Sequence, residues 1–155
     1  MSALTWSDGL ELGLSFMDDT HREFVELLAS CEAAGDDALP ALWDELIAHT
    51  DDHFGREDEW MLATGFAAGN CHSTQHKVVL QVLREGAALA KTGNLAPMRQ
   101  MVQELAVWFP HHAQTMDAAL ALHLRGVGYD PESGEVLQPA RLPALEISGC
   151  GGSCS

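Results

Sequence analysis

Histidines and carboxylates recur at helical spacing on four successive segments of this chain, and that recurrence limits the folds open to it. His21 stands alone in MDDTH, His53 and Glu57 in HFGRE, His72 and His76 in HSTQH, and His112 and Asp117 in HHAQTMD. Residues four apart stack on one helix face, so His53/Glu57 and His72/His76 each aim two donors at one point. Five imidazoles and two carboxylates are too many for a closed four-ligand zinc site. They suit two metal ions that share bridging carboxylates.

Apolar periodicity supplies the helices. Phe24, Leu27, Leu28 and Cys31 form one stripe, predicting a first helix from about 18 to 34 with Asp18 as N-cap and Gly35 as terminator. Pro40 opens a second helix that carries Leu42, Trp43, Leu46, Ile47, Phe54 and Met61 as far as Gly65. A third runs from about 71 to 91 with Val78, Val79, Val82 and Leu83, and a fourth from about 97 to 124. Pro110 lies inside the fourth, where it removes one hydrogen bond and favours a kink.

Short connections between four such helices predict an all-α, antiparallel up-down four-helix bundle. The register agrees. His21 and His53 lie 16 residues either side of a turn centred at 37, and His76 and His112 lie 18 either side of one centred at 94. Equal distance from a turn means equal height in an up-down bundle, so the four groups meet.

Residues 1–125 are therefore read as one bundle domain, with an arm over 1–16 that lies on it and buries Trp6. Residues 126–155 are rich in Gly, Pro and Ser and are read as an irregular tail, docked through Leu142, Leu145 and Ile147. A length of 155 residues, 46% of them apolar, is enough for one domain with a core. The formal charge of −15, without any Lys/Arg run, makes nucleic acid and anionic membranes poor partners. The N-terminus lacks a secretory pattern and no long apolar run is present, so a cytoplasmic location is expected, with Cys31, Cys71, Cys150 and Cys154 as reduced thiols. Cys150 and Cys154, in GCGGSC, are a candidate redox pair. His49, His111 and His123 are assigned structural or surface roles, Trp43, Trp60 and Met61 to the core or an interface, and Asp51, Asp52 and Glu59 to a solvated face.

Glu57 and Asp117 are the bridging candidates. Asp117 follows His112 by five residues, roughly 140° around a regular helix, which displaces it sideways toward a second metal. Two six-coordinate ions sharing these seven groups and one solvent oxygen leave one position open, a binding site for a small molecule. Imidazole-rich ligation favours ferrous iron, and reversible O2 binding is then more natural than O–O cleavage.

HFxxE, HxxxH and WxxxHxxxxD occur in that order, as HFGREDEWM, HSTQH and WFPHHAQTMD, after Trp6 and MDDTH. On these motifs the chain resembles the hemerythrin family, most closely its single-domain bacterial members, the bacteriohemerythrins, from residue 6 to about 124. The resemblance implies two iron ions per chain with an oxo or hydroxo bridge. His72, His76 and His112 would hold one iron, His21 and His53 the other with its open position, and Glu57 and Asp117 would span both. It implies O2 as ligand, for transport, storage or sensing, and a protein that is not an enzyme, with no catalytic residue.

The O2 pocket implied comprises Phe24, Phe54, Trp108, Phe109 and Ala113. Phe54 and Trp108 match the family. Phe24 and Phe109 stand where Leu is usual, and Ala113 where a large aliphatic residue is usual. Either the rings refill the space that Ala113 vacates, or a channel opens. Competing readings are a di-iron enzyme acting on peroxide or nitric oxide, and an iron-handling or redox-sensing module using the cysteine tail. A monomer is expected.

Overall fold

The computed structural model describes residues 4–149. It is all-α: α1 (Ser15–Ala33), α2 (Leu39–Ala63), α3 (Cys71–Lys91) and α4 (Ala96–His112), the last joined by a π turn (Ala113–Asp117) to α5 (Ala118–Val127). α1 packs on α2, α2 on α3, α3 on α4, and α4 back on α1, a four-cornered helical bundle. Among the described residues there is no strand; Phe66 with Ile147 and Tyr129 with Val136 form isolated bridges. Nor is any helix there long and apolar enough to cross a membrane.

The helix starts follow local chemistry. Asn70 caps α3, its Oδ1 accepting from the Ser73 N–H at 2.9 Å. Pro40 occupies the first turn of α2, where its missing N–H costs nothing. Asp18 is not the N-cap of α1, which begins three residues earlier with Leu14 before it. Its carboxylate instead accepts from the Leu12 N–H at 2.8 Å and the Gly13 N–H at 3.2 Å, tying the arm to the first turn. Within the arm Leu10 is buried, whereas Trp6 is only half-buried, with the Arg22 guanidinium 5.1 Å from its ring centroid.

Two apolar clusters make the core. One gathers Phe24, Val25 and Leu28 of α1, Trp43 and Leu46 of α2, Leu83 of α3, and Val102, Leu105 and Phe109 of α4. The other gathers Met17, Trp60, Met61, Phe66, Leu120, Ala121 and Leu124. On α1, α2 and the α4–α5 rod the sequence passes from one cluster to the other through His21, through His53 and Glu57, and through His112 and Asp117. A polar layer therefore lies between two apolar plugs. Near its other end the bundle is drawn tight at Gly86, where a Cβ would stand 2.8 Å from Met101 Sδ.

Gly128, at φ +67°, ends α5 in the left-handed conformation, with the Tyr129 N–H turning back to Leu124 O. The chain then returns to the α2–α3 loop. Ile147 N–H donates to Gly65 O and Ala67 N–H to Ile147 O, both at 2.9 Å, and Cys71 N–H donates to Ser148 O at 3.0 Å. Of the three expected docking residues Ile147 seats beside Phe66, Leu142 is half-buried, and Leu145 is 84% exposed. Ile147 docks because its backbone finds partners there. Cys31 is a free, buried thiol as expected. Cys71 is disulfide-bonded, so the expectation of a reduced thiol fails at that position. Cys150 and Cys154 lie outside the described residues.

Candidate metal centre

All seven expected groups converge in the polar layer. Glu57, His72, His76, His112 and Asp117 form one group, and His21, His53 and Glu57 a second; in each, the ligand atoms lie within 4.8 Å of one another. Every one of these residues is buried.

The carboxylates link the two groups. Glu57 Oε2 lies 2.7 Å from His53 Nε2 and 3.3 Å from His21 Nε2, while its Oε1 lies 3.4 Å from His76 Nε2 and 3.5 Å from His72 Nε2. Asp117 Oδ2 lies 3.2 Å from His21 Nε2; its Oδ1 lies 3.0 Å from His72 Nε2 and 3.3 Å from His112 Nε2. Each carboxylate thus presents one oxygen to the two-histidine side and the other to the three-histidine side.

The π turn makes the Asp117 placement possible. In a regular helix five residues would swing it away from His112. A turn widened toward i→i+5 brings positions 112 and 117 back onto one face. Regular helix geometry, on which the expected sideways displacement of Asp117 rests, does not hold between these two residues.

Hydrogen bonding leaves the layer unfinished. Nε2 of His72, His76 and His112, Oε1 of Glu57 and both Asp117 oxygens are buried and lack a hydrogen-bond partner among the described residues. The short N–O distances bring these atoms together without donor geometry, because they aim at common points rather than at each other. Buried polar atoms are ordinarily satisfied, and six orphans in one layer fit cations.

Electrostatics agree. Burial alone would lower His21 and His72, but Asp117 and Glu57 outweigh it and raise both to about 10. Burial likewise opposes ionisation of Glu57 and Asp117, yet the surrounding imidazoles hold both carboxyls well below the usual range. Metal-free, the layer keeps two ionised carboxylates balanced by imidazolium. Dications would take the place of those protons.

Two residues not singled out from the sequence complete the surroundings. His76 Nδ1–H donates to Asp58 Oδ1 at 2.8 Å, and His112 Nδ1–H donates to Gln75 Oε1 at 2.7 Å. The signal was available in the register. Asp58 and His76 lie nine residues either side of the α2–α3 midpoint at 67, and Gln75 and His112 are equidistant from the α3–α4 midpoint.

The five expected pocket residues divide. Phe24 and Phe109 pack at 4.8 Å between centroids, with Phe109 edge-on to His21 at 5.3 Å. Ala113 is fully buried in the same cluster. Phe54 stacks on His76 at 3.9 Å and half-buried Trp108 on His112 at 4.5 Å. Of the remaining histidines, His111 is exposed and His123 donates from Nε2 to Thr64 O at 2.8 Å. His49, expected in a structural or surface role, is half-buried one turn before His53, with both ring nitrogens buried and without a hydrogen-bond partner among the described residues.

Comparison with known proteins agrees with this geometry. The profile of the hemerythrin HHE cation binding domain matches residues 12–122. A bacteriohemerythrin of Ralstonia nicotianae is 38% identical over 131 residues, 84% of this chain and 95% of the relative. A bacteriohemerythrin of Stenotrophomonas maltophilia is 27% identical over 144 residues, 86% and 92% of the two chains. One from Pseudomonas aeruginosa is 24% identical over 122 residues, 76% and 79%. No solved structure matches. Seven converging donors, orphaned lone pairs and a match across most of the chain have one consequence: the chain belongs to the hemerythrin family of cation-binding domains.

Proposed function

We propose that this protein binds O2 reversibly at a non-haem di-iron centre, as a carrier, store or sensor. His72, His76 and His112 would hold one iron, His21 and His53 the other, with Glu57 and Asp117 spanning the pair. The observation that carries the reading is the division of each carboxylate between the two histidine sets, among buried lone pairs without partners. When bound, a ferrous pair supplies two electrons that can be shared with O2 and recovered.

The rest is the work of the chain's own side chains. Five imidazoles against two carboxylates favour the ferrous state over high-valent iron. Phe24 and Phe109 keep water from the His21 side, and the apolar clusters above and below exclude it from the layer. Phe54 and Trp108 fix the planes of His76 and His112 by stacking. No side chain is assigned a catalytic role.

A second reading, reduction of peroxide or nitric oxide, is favoured by Ala113, whose small side chain leaves the least bulk at the pocket. Iron analysis with O2 uptake separates the two. The proposal expects about two irons per chain and about one O2 per iron pair, recovered under vacuum. Sustained consumption of peroxide or nitric oxide without O2 recovery would select the second reading.

A further inference from the structure

The two halves of the layer are supported unequally. On the three-histidine side, His76 is held from behind by the Asp58 carboxylate at 2.8 Å and His112 by the Gln75 amide oxygen at 2.7 Å. Their rings are also clamped, by Phe54 stacked within 7° of parallel and by Trp108 within 24°. With Nδ1–H engaged, each of these imidazoles has its Nε2 lone pair directed into the layer before any metal arrives. On the other side, Nδ1 of His21 and Nδ1 of His53 are buried with no hydrogen-bond partner among the described residues. Among the described residues nothing polar fixes their tautomer or ring angle from behind.

We propose that the centre is two unequal metal sites, a tight one at His72/His76/His112 that fills first and empties last, and an exchangeable one at His21/His53, and that Asp58 is the positioning residue that sets most of the difference. The inference rests on the di-metal reading and extends it to an order of assembly. Three donors against two would produce some inequality by number alone. The hydrogen bond from Asp58 adds a distinct effect, because a carboxylate behind an imidazole raises its basicity and fixes its angle. Loss of such a partner typically weakens metal affinity by about 10–100-fold. Asp58 is 33% exposed, so its charge is partly screened and the effect belongs toward the lower end of that range. A consequence follows for metal identity. The exchangeable half accepts a different divalent ion while the tight half keeps the first, so mixed-metal pairs form readily.

The test is titration of the metal-free full chain with Co(II), followed by native mass spectrometry and by the d–d spectrum of the first and second equivalents. At one equivalent the one-metal species is expected to dominate, with a first-equivalent spectrum distinct from the second. Asp58→Leu is expected to weaken the first site by about 10-fold or more and leave the second unchanged. Asp58→Asn, which keeps an acceptor without the charge, is expected to fall between. Statistical filling, or equal weakening of both sites in Asp58→Leu, overturns the inference while leaving the di-metal reading intact. Failure of the wild-type chain to bind any metal overturns that reading itself. Circular-dichroism melting of the metal-free variants separates a folding defect from a positioning effect, and the Asn variant keeps the test open if the Leu variant unfolds.

Discussion

Asp117 Oδ1 lies 3.3 Å from His112 Nε2 although Asp117 stands five positions further along the chain, because the helix opens into a π turn between the two. The same carboxylate reaches His21 on α1 through Oδ2 at 3.2 Å. One side chain thereby connects both sides of the layer. Asp117→Ala is expected to reduce iron content from about two per chain to about one or fewer, while the helix content by circular dichroism stays the same. Full iron occupancy in that variant would remove Asp117 from the centre.

The buried charges give the metal-free protein a characteristic response to pH. Glu57 and Asp117 have lowered folded-state pKa values, so the stability they contribute is present above their ordinary values of 4.5 and 3.8 and is lost as pH falls further. His21 and His72 are raised from 6.5 to about 10, so their contribution is complete below 6.5 and fades as pH climbs toward 10. Thermal midpoints of metal-free protein are expected to decline from neutral pH toward pH 10. In iron-loaded protein, where cations replace those protons, the alkaline decline is expected to be much smaller. Parallel curves for the two forms would contradict the replacement.

Phe109 and Ala113 lie one helical turn apart in one buried cluster. Ala113→Ile is expected to overpack the site and destabilise the protein by about 1–3 kcal/mol in urea unfolding. Adding Phe109→Leu is expected to recover part of that loss, a non-additive pair. Purely additive effects would mean the two side chains do not share the space.

The returning tail depends on Gly65, which sits at φ +102° with Pro143 Cγ only 2.5 Å from where a Cβ would stand. Gly65→Ala is expected to cost more than about 1 kcal/mol and to speed amide exchange at Ala67, Cys71 and Ile147. Unchanged protection would show the tail held by other contacts.

Much of this was legible in the sequence, and the misses have physical causes. The apolar stripe and Gly/Asn/Pro punctuation place α3 at Cys71–Lys91, as the periodicity predicts. The equal-height argument brings His21, His53, His76 and His112 together because antiparallel helices of constant rise obey it. The π turn was hidden because one inserted residue leaves the apolar pattern of Leu120 and Leu124 intact on the following helix. Asp18 reads as an N-cap, but a carboxylate in the first turn serves the arm's amides equally well. Asp58 carries no local signal, since nothing within α2 reveals the imidazole on α3 that it meets. Docking of the tail through Ile147 depends on backbone partners in the α2–α3 loop, which a hydropathy pattern does not encode.

Reversible O2 binding at this layer is open to test by an optical cycle. Iron-loaded protein, reduced anaerobically, would be recorded before air, after air, and again under argon. A visible charge-transfer band is expected to appear with O2 and to be lost under argon, with the ferrous spectrum recovered over repeated cycles. Prompt, irreversible conversion to a ferric spectrum on first exposure would contradict reversible binding.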